Sequence, residues 1–139
     1  MTEPAAEESL SDLFGAVARG LRRRTRVALE PLGVTPSLSR ALSVLSELAP
    51  VRISALADHL HVAPRTATEL IDDLEQRGLV VRRPDPGDRR AVLVELTHAG
   101  ERATGDIRAA RDAAAERFFA ALDEADRRDL ARILRRLRD

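Results

Sequence analysis

The stretch Ile53–Thr97 constrains this chain more than any other part of it. It opens with ISALADHLHVAPRTATELIDDLEQRGLV and closes with VRRPDPGDRRAVLVELT. In the first half Leu56, Ala57 and Leu60 mark the inward face of one helix, and Ala67, Leu70, Ile71 and Leu74 that of a second. His61 and Val62 form the joint, with Val62 as an apolar plug between them. The second half is two strand-like runs around a turn. Helix, turn, helix and then a basic hairpin is the order of elements in a winged helix that reads duplex DNA.

Burying those faces leaves Arg65, Thr66, Thr68, Glu69, Asp72 and Asp73 pointing outward. A recognition helix presents its first turns to the major groove, so Arg65 is the candidate for a guanine or phosphate contact. Thr66 and Thr68 are candidates for phosphate oxygens or a thymine methyl. Ser54 is expected to cap the first helix, and Pro64 suits the first position of the second. Gly78 fits a left-handed helix end. Leu79–Val81 then begin a strand, Pro84–Gly87 reverses it, and Val92, Val94 and Leu96 are expected to alternate inward. In an extended segment Asp88 and Arg90 leave the same face. Asp88 is therefore placed as the residue that orients Arg90, beside Arg89, for insertion into a narrow minor groove. The plain alternative is a surface ion pair of little energetic value.

Helices are expected on both flanks. After a polar, acidic Met1–Glu8, Ser9 or Ser11 caps a helix whose Leu10, Leu13, Phe14, Val17, Ala18 and Leu21 draw one apolar stripe. Arg22, Arg23, Arg24 and Arg26 continue it, either as a solvated basic turn near a helix C-terminus or as a contact for DNA or ligand. Pro31 and Gly33 end it, and Thr35-Pro36 starts the next helix. Val51–Ile53 is a short extended link suited to serve as a third strand for the hairpin. Thr97 caps a helix from His98 to about Leu122, and Asp123 caps a last one with Leu130, Ile133, Leu134 and Leu137 at helical spacing. The first helix and these last two carry more apolar surface than a small winged helix covers, which points to burial against a second copy. The alternative is an intramolecular three-helix pack.

Composition narrows the function classes. At 139 residues the chain has the size of one domain. With 33% charged residues and no apolar run near the roughly 18 residues of a membrane span, it is expected to be soluble. Its polar start does not resemble a signal peptide, so a cytoplasmic location without membrane contact is expected. The absence of cysteine removes disulfides and thiolate metal sites. His59, His61 and His98 do not make a metal motif, and no phosphate-cradling glycine loop or nucleophile motif is present. An enzyme, a cofactor or a metal site is thus not expected. Twenty-three arginines are cancelled by 23 acids, so no global positive field holds the chain on DNA. The local cluster Arg82, Arg83, Arg89 and Arg90, within nine residues, has to serve instead.

Taken together, Leu56-Ala57, Val62, Thr66, Leu74-Glu75, Gly78-Leu79-Val80, Arg82, Asp85-Pro86, Asp88-Arg89-Arg90 and Leu96-Thr97-His98-Ala99-Gly100 resemble the MarR (multiple antibiotic resistance regulator) family of bacterial transcription factors. The resemblance is closest from about Thr35 to Gly100. It implies a mainly α fold with a small β-hairpin wing, a winged helix-turn-helix (35–97) between an N-terminal tail and dimerisation helix (1–34) and C-terminal dimerisation helices (98–139). It further implies a homodimer on a pseudo-palindromic operator of double-stranded DNA, usually a repressor, often released by a small anionic or aromatic effector. Phe14, Arg22 and Phe118 are the expected neighbours of an effector cleft. Two positions depart from the family pattern. Ala63 stands where a capping serine is common, and Glu69 where a basic or neutral residue is. Glu69 is read as pairing with Arg65 one turn earlier, or as an acceptor for a cytosine amino group. The competing reading is a winged helix that no longer binds DNA and serves as a protein-interaction or ligand-sequestering module.

Overall fold

The computed structural model describes residues 7–138. Most of the acidic stretch Met1–Glu8 lies outside them. Helix α1 (Leu10–Leu29) starts at Ser9, whose Oγ accepts the Asp12 amide at 3.0 Å. A 3-10 turn over Glu30–Leu32 ends at Gly33 with φ +68°, a left-handed conformation that favours glycine. Thr35 Oγ1 accepts the Leu38 amide and starts α2 (Pro36–Leu48). The chain continues through β1 (Val51–Arg52), α3 (Ile53–Leu60), α4 (Pro64–Gln76), β2 (Val80–Asp85), β3 (Asp88–Leu96), α5 (His98–Phe119) and α6 (Glu124–Leu137).

The three strands form one antiparallel sheet in the order β1-β3-β2. Val51 pairs with Val94 and Arg52 with Leu93, so the short link is the third strand its composition suggested. The core lies where α2, α3 and α4 meet the base of this sheet: Leu42, Leu45, Leu56, Ile71, Leu74, Val80 and Val94 are fully buried. Truncating one of these leucines to alanine costs about 2–5 kcal/mol. Val62 packs on the edge of this core from the joint, where His61 takes φ +55°.

Thr97 fastens three elements at one point. Its Oγ1 donates to the Gly78 carbonyl at 2.6 Å and accepts the Gly100 amide at 3.0 Å, and its own amide donates to the Leu79 carbonyl. The end of α4, the base of the wing and the start of α5 are thereby fixed relative to one another.

Three expectations are corrected. Ser54 does not cap α3: the helix begins at Ile53 with Arg52 in the cap position, because β1 runs straight into it. Helix α5 stops at Phe119, and Leu122 lies in the turn before Asp123. Val92 is 42% exposed, although it shares a face with the buried Val94, because the hairpin extends past the core that this face covers nearer its base.

Candidate nucleic-acid interface

Helix α4 and the β2–β3 hairpin carry the residues singled out for DNA. At the start of α4 Arg65, Thr66 and Thr68 are all exposed, the Arg65 side chain 91% so. Glu69 sits 3.4 Å from the Arg65 guanidinium, the one-turn pair that the spacing suggested. Thr68 Oγ1 donates back to the Pro64 carbonyl. Ala63 occupies the cap position with extended backbone and contributes no side-chain hydrogen bond, so the first amides of α4 have no capping acceptor.

The arginines of the wing divide into two classes. Arg82 reaches back from β2 to α4, where it donates to Asp72 at 2.5 Å and Glu75 at 2.7 Å. Its hydrogen bond to Asp72 holds the guanidinium above its ordinary pKa against the opposing effect of burial, with Glu75 adding to the rise. Arg83 pairs with Glu95 across the hairpin. Arg89 and Arg90, in contrast, are exposed and have no ion-pair partner among the described residues. They lie where the register breaks: Pro84 pairs with Val92 but Asp85 with Asp88, so residues 89–91 bulge out of the ladder.

The wing tip is built by two aspartates. Asp88 Oδ1 accepts the backbone amide of Arg90 at 3.0 Å, so it fixes the main chain at Arg90 and not, as the alternation suggested, the guanidinium. Asp85 Oδ1 accepts the Gly87 amide at 2.8 Å while its Oδ2 takes the Arg52 guanidinium at 2.8 and 3.1 Å. The Gly87 amide, followed by Arg52, holds the Asp85 carboxyl below the usual carboxylate range. Arg52 was not singled out in the sequence, and Arg82 only as one of the basic cluster expected to serve DNA, whereas here it is bonded to α4. Their partners are set by the β1-β3-β2 register and by how the wing folds back on α4, neither of which local spacing encodes.

A cleft of about 630 Å³ opens between α1, α2 and α5, and one of about 380 Å³ adjoins it. Arg22 lines the larger cleft, but Phe14 and Phe118 line neither. Phe118 instead lies under Arg24, 5.7 Å from its guanidinium carbon, and meets Phe119 edge to face. Each shares a helical face with a residue that does line the clefts, Phe14 with Leu21 and Phe118 with Arg111, but lies two turns away along the axis.

Residues 34–92 match the model of the MarR family. The HTH-type transcriptional repressor MdtR of Bacillus subtilis is 27% identical over 136 residues, covering 96% of this chain and 88% of that protein. A Thauera aromatica protein named as a transcriptional regulatory protein for the hcr operon is 33% identical over 116 residues, covering 84% of this chain and 70% of its own. The MarR family protein Rv2887 of Mycobacterium tuberculosis, solved with DNA, superposes with a TM-score of 0.83 at 28% identity, over 96% of this chain and 100% of that one. Its complex with salicylic acid gives 0.77 at 29%, over 97% and 100%. No helix among the described residues is long and apolar enough to cross a membrane. A helix-turn-helix with a basic wing, and likenesses that run through the flanking helices as well, lead to one conclusion: the chain belongs to the MarR family of transcriptional regulators, DNA-binding proteins and not enzymes.

Proposed function

We propose that the protein is a cytoplasmic homodimer that binds a pseudo-palindromic operator, represses nearby genes and is released by a small-molecule effector. The observation that carries this reading is the contrast within the wing. Arg52, Arg82 and Arg83 are held by carboxylates and shape the hairpin, whereas Arg89 and Arg90 stand exposed, without an ion-pair partner among the described residues, on a bulge that Asp88 orders. An ordered backbone lowers the entropy lost when these side chains enter a groove. Arg65, Thr66 and Thr68 at the start of α4 supply the major-groove contacts. Two copies double the phosphate contacts, which offsets the zero net charge of the chain. Relatives named as a repressor and solved with DNA and with salicylic acid support the repressor and effector parts.

Fluorescence anisotropy on DNA flanking the protein's own gene, against shuffled DNA at two salt concentrations, tests the reading. Arg90→Ala should leave the fold intact, weaken operator binding about tenfold or more and flatten the salt dependence by about one phosphate per protomer. An Arg90→Ala variant that loses its fold while keeping wild-type affinity per folded dimer would overturn it. The held Arg65–Glu69 pair favours the second reading, a winged helix that binds a protein or ligand instead. Equal, weak binding of both DNAs by a folded dimer would select that one.

A further inference from the structure

We infer that the cleft between α1, α2 and α5 takes a small polyanion, a phosphorylated or polycarboxylated molecule with at least two negative charges. This deepens the effector reading above, on which it rests for its consequence at DNA. Six arginines line the cleft: Arg19, Arg22, Arg23 and Arg26 from α1, Arg40 from α2 and Arg111 from α5. The four on α1 follow the three- and four-residue steps that put side chains on one face of a helix, so the basic run is a directed stripe. Arg24, which breaks that spacing, is stacked elsewhere, on Phe118.

The charge in the cleft is uncompensated. Among the described residues none of the six arginines forms an ion pair, and no carboxylate lines the cleft. Around α4 and the wing, by contrast, Arg52, Arg65, Arg77, Arg82 and Arg83 all have acidic partners. Like charges gathered in a concave wall focus the field on whatever enters. A monoanion would leave most of them unneutralised, whereas phosphate and carboxylate groups each match the guanidinium fork.

A second observation points into the same space. Ser39 is only 3% exposed and lines both this cleft and the adjoining one, so it sets a hydroxyl in the wall that the two share. A hydroxyl there can donate to a phosphate or carboxylate oxygen of a ligand held by the arginines. No aromatic residue lines either cleft, so nothing there stacks on a flat drug-like ring. The Arg40 guanidinium donates once, to the Leu60 carbonyl at the end of α3, which ties the cleft wall to the helix-turn-helix.

The test is calorimetric titration of the full chain with sodium pyrophosphate, with citrate and with salicylate, at ionic strength held constant with sodium chloride. At least one of the two polyanions should bind saturably, one per protomer, and at least tenfold tighter than salicylate. A preference for pyrophosphate marks a phosphorylated ligand, and one for citrate a polycarboxylate. The double variant Arg22→Gln/Arg26→Gln should lose at least tenfold in that affinity while keeping its melting temperature and its ligand-free DNA binding. Ser39→Ala should lose severalfold. The inference is overturned if neither polyanion binds, if salicylate binds more tightly than both, or if the double variant binds the polyanion unchanged. It is equally overturned if the double variant loses DNA binding without ligand, which would make the stripe a DNA contact. A polyanion that binds in the cleft without weakening the DNA complex sinks the effector reading and leaves this inference standing. Salicylate that alone binds and releases DNA does the reverse.

Discussion

A β-carbon added at Gly100 would come 2.0 Å from the Leu79 carbonyl oxygen. That oxygen already accepts the Thr97 amide, and backbone on both sides is tied through Thr97, so neither partner can move away cheaply. Gly100→Ala should therefore lower stability by roughly 1–3 kcal/mol or more, as overpacking does, seen as a lower urea midpoint with an unchanged slope. Gly105, five residues further along the same helix, has open space at its β-carbon and serves as the control: Gly105→Ala should be neutral or stabilising. At this scale the sequence is legible where a side chain acts on its own neighbours. Thr97, Thr35 and Asp123 cap their helices as their positions announce, and Arg65 meets Glu69 one turn on. It is illegible where a partner comes from elsewhere in the chain. Four arginines within nine residues look alike in sequence, yet two are committed to carboxylates on α4 and β3 and two have no ion-pair partner among the described residues.

Among the elements, α4 is the one whose start is left open. Ala63 has the extended backbone of a capping residue, φ −63° and ψ 148°, without an oxygen to accept the amides of Arg65 and Thr66. Ala63→Ser should stabilise the protein by about 0.5–2 kcal/mol, a rise of about 2–10 °C in melting temperature. If a DNA phosphate uses the same amides, the stabilised variant should also bind the operator more weakly. A melting temperature no higher than wild type would mean that the helix start is already satisfied. Element boundaries were readable to within a few residues from apolar spacing, glycine and proline. The two boundary errors differ in kind: β1 feeds α3 directly, so that Arg52 and not Ser54 opens it, whereas α5 ends at Phe119, short of its apolar pattern. Alternation also placed Val92 on the correct face, but it carries no information about how far along the hairpin that face is covered.

At the scale of the molecule the flanking helices are unequal in what they bury. Helix α5 contributes Ile107 and Ala114 to the interior, whereas no residue of α6 is buried. The first turns of α1 are equally bare, with Leu10 85% and Phe14 59% exposed, and Leu137 at the other end of the chain is 69% exposed. Amphipathic helices that leave their apolar stripes in solvent call for cover, and the proposed second copy would provide it by symmetry. In a lone protomer Leu134 and Leu137 are surface residues, so replacing both by glutamate should change the protomer's own stability by about 1 kcal/mol or less in sum. In a dimer the same two charges would be buried without partners. Leu134→Glu/Leu137→Glu should therefore convert the protein from two chains to one, read by light scattering, while its circular dichroism stays native. It should also lose operator affinity and about half the salt dependence, since one recognition helix and one wing remain per particle. A double variant that stays dimeric, or a wild-type protein that scatters as a single chain, would place the dimer contact elsewhere or remove it, and the neutral net charge of one chain would then stand without compensation against DNA binding.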